Sequence, residues 1–166
     1  MVTKETPIRI LMIDDNEPDH RLVKVNLEKG QDMLDCSFEV DWAADMKIAR
    51  TMIANSSYDA LLLDVFIDGH AWQDNLKELQ KIHTGTLMLI TGVKDDAMSI
   101  EASKAGADDY IVKQEISPAS FARALQYRIE RVRSVLGLGN IKDNANVTDM
   151  MKQLEELKRV FLSNDH

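Results

Sequence analysis

A single cysteine, Cys36, stands among 166 residues, so the chain can form no internal disulfide. A reducing cytoplasm is the compartment this suggests. Beside Phe38, Cys36 reads as a packed thiol and not a reactive one. No apolar run approaches the roughly 20 residues that a membrane-crossing helix requires, and no membrane association is expected. The opening stretch, MVTKETPIRI, lacks a signal-peptide core with a small-residue cleavage site. A net charge of −8 supplies no surplus of cations for nonspecific nucleic-acid binding by the whole chain. There is no internal repeat and no low-complexity tract. The four histidines, His20, His70, His83 and His166, show no metal-ligand spacing and read as surface residues. Trp42 and Trp72 read as packing residues.

What is present is a globular balance, with 45% apolar and 29% charged residues. Short apolar runs recur at Ile8–Ile13, Phe38–Trp42, Ala60–Leu63, Leu87–Ile90 and Tyr110–Val112. Each is too short for a helix, and several are apolar on consecutive positions, as strands buried on both faces are. Between them lie stretches with helix signals. Asn16-Glu17-Pro18-Asp19 offers a cap, an early proline and first-turn acids before Leu22, Val23 and Leu27. Helices are expected over Ala43–Asn55, Trp72–Ile82 and Asp95–Ala105, the last stopped by Gly106. Ser117-Pro118 opens a longer one carrying the stripe Phe121, Leu125, Ile129 and Val132. Strand and helix alternate five times, which predicts an α/β fold with a parallel sheet covered by helices.

Polar residues fall at the ends of these runs. The first ends in Asp14-Asp15, the third in Asp64, the fourth in Thr91 and the fifth in Lys113. Taken singly, each is an ordinary turn or capping residue. In an open α/β sheet, however, the crevice beyond the carboxyl ends of the strands is where ligands bind. Three carboxylates gathered there repel one another unless a cation sits among them. Hard oxygen ligands suit Mg²⁺, which commonly takes one or two carboxylates plus phosphate oxygens. A carboxylate beside such an ion can attack a phosphoryl group and become an aspartyl phosphate. That transfer needs mainly positioning and charge neutralisation, for which Lys113 and the Thr91 hydroxyl are suited. Gly92 leaves room beside Thr91.

The stretches ILMIDDNEPDH, YDALLLDVFIDG, LMLITG and AGADDYIVK together resemble the receiver domain of two-component response regulators, the CheY-like family. The resemblance covers Ile8 to Ser134. It implies a (βα)5 fold, a doubly wound five-stranded parallel sheet in the order 2-1-3-4-5. It implies that Asp64 accepts a phosphoryl group from a histidine kinase or phosphotransfer protein. It further implies that Asp14, Asp15, Asp64 and the backbone carbonyl of Phe66 hold Mg²⁺, and that Thr91 and Lys113 bind the phosphoryl oxygens. Tyr110 falls at the family's switch aromatic, and residues 95–135 at its output surface.

Three positions depart from the family pattern. Asp68 stands where a proline is usual, and Gly69 comes earlier than the family's usual glycine, which implies a shorter or differently turned loop. Gln114 follows Lys113 where a cis-bonded proline is usual, and a trans bond is expected there. Phe66, two residues after Asp64, occupies a position that faces the phosphoryl group in this family. Its ring either hinders the attacking water, giving slow autodephosphorylation, or packs against its own loop.

The expected organisation is a receiver domain over 1–135, a linker over 136–146 and an amphipathic helix over 147–166. In that helix Val147, Met150, Leu154, Leu157 and Phe161 recur at coiled-coil spacing. It is expected to support a homodimer, pack on the parent domain, or lead toward an output domain. The residues beyond Ser134 are too few for a helix-turn-helix module, so direct DNA binding by this chain is not expected. The expected function is a phosphorylation-dependent signalling switch, either a stand-alone relay or the front of a larger protein, that transforms no metabolite. Its alternative is a phosphorylation-independent receiver-fold scaffold or dimerisation module. A haloacid-dehalogenase-type hydrolase would need a second Asp at position 66, and Phe66 excludes it.

Overall fold

Apolar residues on consecutive strand positions are buried on both sides of one sheet. In the computed structural model, which describes residues 6–135 together with 154, 155 and 157, β1 (Ile8–Ile13), β3 (Ala60–Asp64) and β4 (Thr86–Thr91) are the central strands. β2 (Phe38–Ala43) and β5 (Asp109–Val112) form the edges, and all pairings are parallel in the order β2-β1-β3-β4-β5. Five helices alternate with them: α1 (Glu17–Gln31), α2 (Met46–Asn55), α3 (Trp72–Ile82), α4 (Asp96–Lys104) and α5 (Pro118–Val135). The predicted fold class and strand order are thus the observed ones.

The period of two along each strand divides the core. Ile8, Ile10 and Met12 of β1, with Leu62 and Met88, face Val23 and Leu27 of α1 and Phe121, Leu125 and Ile129 of α5. Leu11, Ile13, Leu61, Leu63, Leu87 and Leu89 face the opposite layer, where Met46, Trp72, Leu76, Leu79 and Ala102 close over them. Cys36 is buried in the first layer with Phe38, as its neighbourhood predicts.

Helix starts follow their caps. Asn16 Oδ1 accepts from the Asp19 amide and Pro18 sits in the first turn of α1. The expected helix over Ala43–Asn55 begins instead at Met46. Ala43 completes β2 opposite Ile13, and the Asp45 carboxylate caps α2 by accepting from the Ile48 amide at 2.7 Å. Asp95 caps α4 in the same way, and Gly106 follows with φ of 97°, a left-handed conformation that ends the helix.

Among the described residues, 6–129 form one compact unit and those from Glu130 onward belong to a second. The expected linker over 136–146 and most of the expected terminal helix lie outside the described residues. No helix among the described residues is long and apolar enough to cross a membrane.

Gly30, in the last turn of α1, allows α5 to approach. A Cβ there would lie 2.4 Å from Ala122 Cβ and 2.5 Å from the Pro118 carbonyl oxygen. Gly30→Ala is therefore expected to lower the unfolding free energy by about 1–3 kcal/mol, despite alanine's better helix propensity. Urea denaturation of the two chains checks this.

Candidate functional site

Because β1 and β3 are adjacent and parallel, their carboxyl ends bring Asp14 and Asp64 to the same edge of the sheet. Asp14 follows β1 directly. Its amide donates to the Ala43 carbonyl at 3.0 Å, and its side chain is fully buried. Asp64 is the last residue of β3 and only 5% exposed. Asp15 remains exposed beside them. Ligand oxygens of Asp14, Asp15 and Asp64 all lie within 4.8 Å of one another.

Lys113 reaches this cluster from the end of β5 and is itself only 8% exposed. Its ammonium lies 2.8 Å from Asp14 Oδ2, 3.1 Å from Asp64 Oδ2 and 2.6 Å from Asp19 Oδ2. The Lys113–Gln114 bond is trans, no cis bond occurring among the described residues, and the lysine still points into the cluster. Gln114 places its side-chain amide over Gly92 instead.

The electrostatics follow from burial. Asp14 is pushed up to about 6, chiefly by loss of hydration, with the Asp64 charge adding to it. The Lys113 ammonium and the Asn16 amide, which donates to Asp14 Oδ1 at 2.9 Å, offset only part of that. Burial by itself would lower the Lys113 pKa. Hydrogen bonds to Asp14 and Asp19 and the attraction of Asp64 outweigh it and raise the value. Asp14 Oδ2 has no hydrogen bond of good angle even though the ammonium is close. Hard oxygens, partly unsatisfied and carrying excess negative charge, fit a divalent cation such as Mg²⁺.

Thr91, fully buried, ends β4 beside Asp64's strand, and its hydroxyl accepts from the Val93 amide at 3.2 Å. Tyr110 is half-buried on β5. Its hydroxyl donates to the Val93 carbonyl at 3.0 Å and lies 3.7 Å from Met98 Sδ, so it ties the loop after Thr91 to α4. Burial, and then the nearby Asp95 charge, raise its pKa.

The loop after β3 turns by its own means. The Phe66 amide donates to Asp64 Oδ1 at 3.0 Å, while the Phe66 ring is 60% exposed. Asp68 has φ of 60° and Gly69 of 63°, both in the left-handed region. Proline, fixed near −65°, could not take the Asp68 conformation, whereas aspartate tolerates it. Asp68 also accepts from the Met46 amide at 2.9 Å, joining this loop to the start of α2.

Two participants were not legible beforehand. Asp19 reads in the sequence as a first-turn helix acid, yet it holds Lys113. Trp42 reads as packing, yet its indole N–H donates to the Asp14 carbonyl, and His20 stacks on it with ring centroids 5.4 Å apart. His20 is therefore not a plain surface residue.

The family profile of the response regulator receiver domain matches residues 10–126. The transcriptional activator protein IrlR of Burkholderia pseudomallei is 28% identical over 137 residues, covering 82% of this chain and 54% of that protein. The transcriptional regulatory protein ResD of Bacillus subtilis is 31% identical over 113 residues, covering 67% of this chain and 43% of that protein. The chain thus spans about half the length of the curated relatives it matches. Among solved structures, the BeF3-activated receiver domain of Klebsiella pneumoniae RstA aligns with a TM-score of 0.62 at 24% identity, over 73% of this chain and 97% of that one. A response regulator from Thermotoga maritima aligns with a TM-score of 0.64 at 21% identity, over 75% and 98%. These two share the fold.

A buried acid whose folded-state pKa is raised destabilises the fold as pH climbs from the ordinary value, 3.8, through about 6. Without divalent cations, Asp14→Asn is expected to be more stable than wild type at pH 7 by up to about 3 kcal/mol, the gap narrowing toward pH 5. Saturating Mg²⁺ should stabilise wild type and leave the variant little changed. Urea melts at the two pH values, with and without Mg²⁺, check both points.

Proposed function

The chain belongs to the response regulator receiver domain family, and from that premise we propose that it is a phosphorylation-dependent signalling switch with Asp64 as its phosphoacceptor. The observation that carries this reading is the Lys113 ammonium set among buried Asp14 and Asp64, with Asp15 beside them. The donor is a histidine kinase or a phosphotransfer protein. A carboxylate oxygen of Asp64 forms a bond to phosphorus as the phosphorus–nitrogen bond of the partner's phosphohistidine breaks, and the imidazole leaves. Lys113 and the Thr91 hydroxyl hold the phosphoryl oxygens, and Gly92 leaves them room. Asp14, Asp15, Asp64 and the Phe66 carbonyl would hold Mg²⁺, which supplies two positive charges against the charge on those oxygens.

Signal then passes through groups already linked to the site. Thr91 accepts from the Val93 amide, and Tyr110 donates to the Val93 carbonyl, so a Thr91 hydroxyl that turns toward a phosphoryl group loosens the anchor of Tyr110. Residues 95–135 form the responding surface, and relay follows by partner binding or by a change in dimer contact through the segment 147–166. The domain works as a signalling module in the cytoplasm, with no metabolite turned over. Transcriptional control belongs to the relatives as named, and for this chain we propose only the switch that would govern such an output.

Intact-protein mass after incubation with a small phosphodonor and Mg²⁺ is expected to rise by one phosphoryl group in wild type and not in Asp64→Asn. A folded wild type that gains nothing would sink the proposal and favour the scaffold. Phe66 stands exposed at the mouth of the site, where its apolar ring can hinder the hydrolytic water. Phe66→Asn is expected to lose its phosphoryl group several-fold faster than wild type, followed by loss of the added mass over time. An unchanged lifetime would remove that role from the ring.

A further inference from the structure

We infer that Asp19 is a fourth carboxylate of the site, a positioning residue that governs how firmly Lys113 competes with the metal for Asp14 and Asp64 and how readily it turns to the phosphoryl group. The inference rests on the phosphoacceptor reading above. It begins from the ammonium's capacity, which is three hydrogens. Three carboxylate oxygens lie at ion-pair distance, Asp19 at 2.6 Å, Asp14 at 2.8 Å and Asp64 at 3.1 Å, and of these Asp19 and Asp64 accept hydrogen bonds from it. The shortest of these contacts is to the residue that neither accepts phosphate nor joins the metal-ligand cluster. Asp19 comes from the first turn of α1, 94 residues away in sequence, so the approach is made by the fold and not by local geometry.

Two consequences follow from this placement. First, Asp19 draws the ammonium aside from Asp14 and Asp64, and so leaves more of their charge to a cation. With Asp19 neutral, Lys113 would pair more fully with those two carboxylates and oppose the metal. The lost negative charge would weaken metal binding in the same direction. Second, a phosphoryl oxygen draws Lys113 fully to itself when one of its two hydrogen-bonded partners releases it. Asp14 and Asp64 are buried, whereas the Asp19 side chain is 30% exposed and can return to water. Its release is therefore the step that frees the lysine. Its charge also repels an incoming phosphodonor. Asp19 thus favours metal loading and retards phosphoryl transfer.

Asp19→Asn and Asp19→Glu separate this from a structural role. Mg²⁺ affinity is measured by titration calorimetry, and the phosphorylation rate with a small phosphodonor at saturating Mg²⁺ by intact mass. Asp19→Asn is expected to bind Mg²⁺ about two- to fivefold more weakly and to phosphorylate about two- to fivefold faster, the range of a partly exposed ion pair. Asp19→Glu should return both values toward wild type. A merely structural side chain would lower the rate or change neither quantity. Unchanged Mg²⁺ affinity with an unchanged or slower rate, in a variant of wild-type melting temperature, overturns the inference. If no chain gains mass but Asp19→Asn binds Mg²⁺ more weakly, the phosphoacceptor reading falls while the placement of Asp19 beside Lys113 in the metal balance stands.

Discussion

One buried ammonium among carboxylates is the constraint around which this domain is arranged. Asp14 and Asp64 leave water at the ends of two central strands, and neither charge is tolerated there without compensation. Lys113 supplies it across the top of the sheet from β5, an edge strand. A cluster of this kind is poor support for stability, because desolvation consumes much of the attraction gained. The apolar layers on the two faces of the sheet hold the fold together, and they carry the strained polar edge.

The loops around that edge are fitted to it. After β3 the chain reverses through two left-handed residues, Asp68 and Gly69, and the Asp68 carboxylate anchors the turn to the first amide of α2. After β1 the Asp14 carbonyl is held by the indole of Trp42, and Trp42 is covered by His20. After β4 the Thr91 hydroxyl and the Tyr110 hydroxyl hold opposite ends of the Val93 peptide group's neighbourhood. The acidic edge is thus tied to α1, α2 and α4, the helices that flank its mouth. Under the proposed function, a change of charge at Asp64 would act on groups already tied to those helices, which is the physical requirement for a switch.

Much of this was legible in one dimension. The runs ILMI, ALLL and LMLI identify central strands, because a strand covered on both faces has no solvent side and shows no alternation. The acids, the threonine and the lysine that follow those runs are at the carboxyl edge because a parallel sheet gives every strand the same direction. The sequence pattern places the start of α2 three residues before Met46, where the helix begins. Ala43 is as apolar as a helix residue, and only its pairing with Ile13 assigns it to β2. The conformation of the loop after Asp64 was open for a similar reason, since Asp68 adopts a left-handed turn that its residue type permits but does not require.

Local pattern, then, is enough for the elements, their order and the acids at their ends, since periodicity, caps and strand direction are properties of neighbouring residues. The partners of Lys113 are not such a property. Asp14, Asp19 and Asp64 are all acids near strand or helix ends, and other carboxylates of this chain look the same in sequence. Which of them share one ammonium depends on distances of a few ångströms between segments up to 94 residues apart. Those distances exist only after β1, β3 and β5 are in register and α1 is packed against the sheet, so the tertiary structure alone could select them.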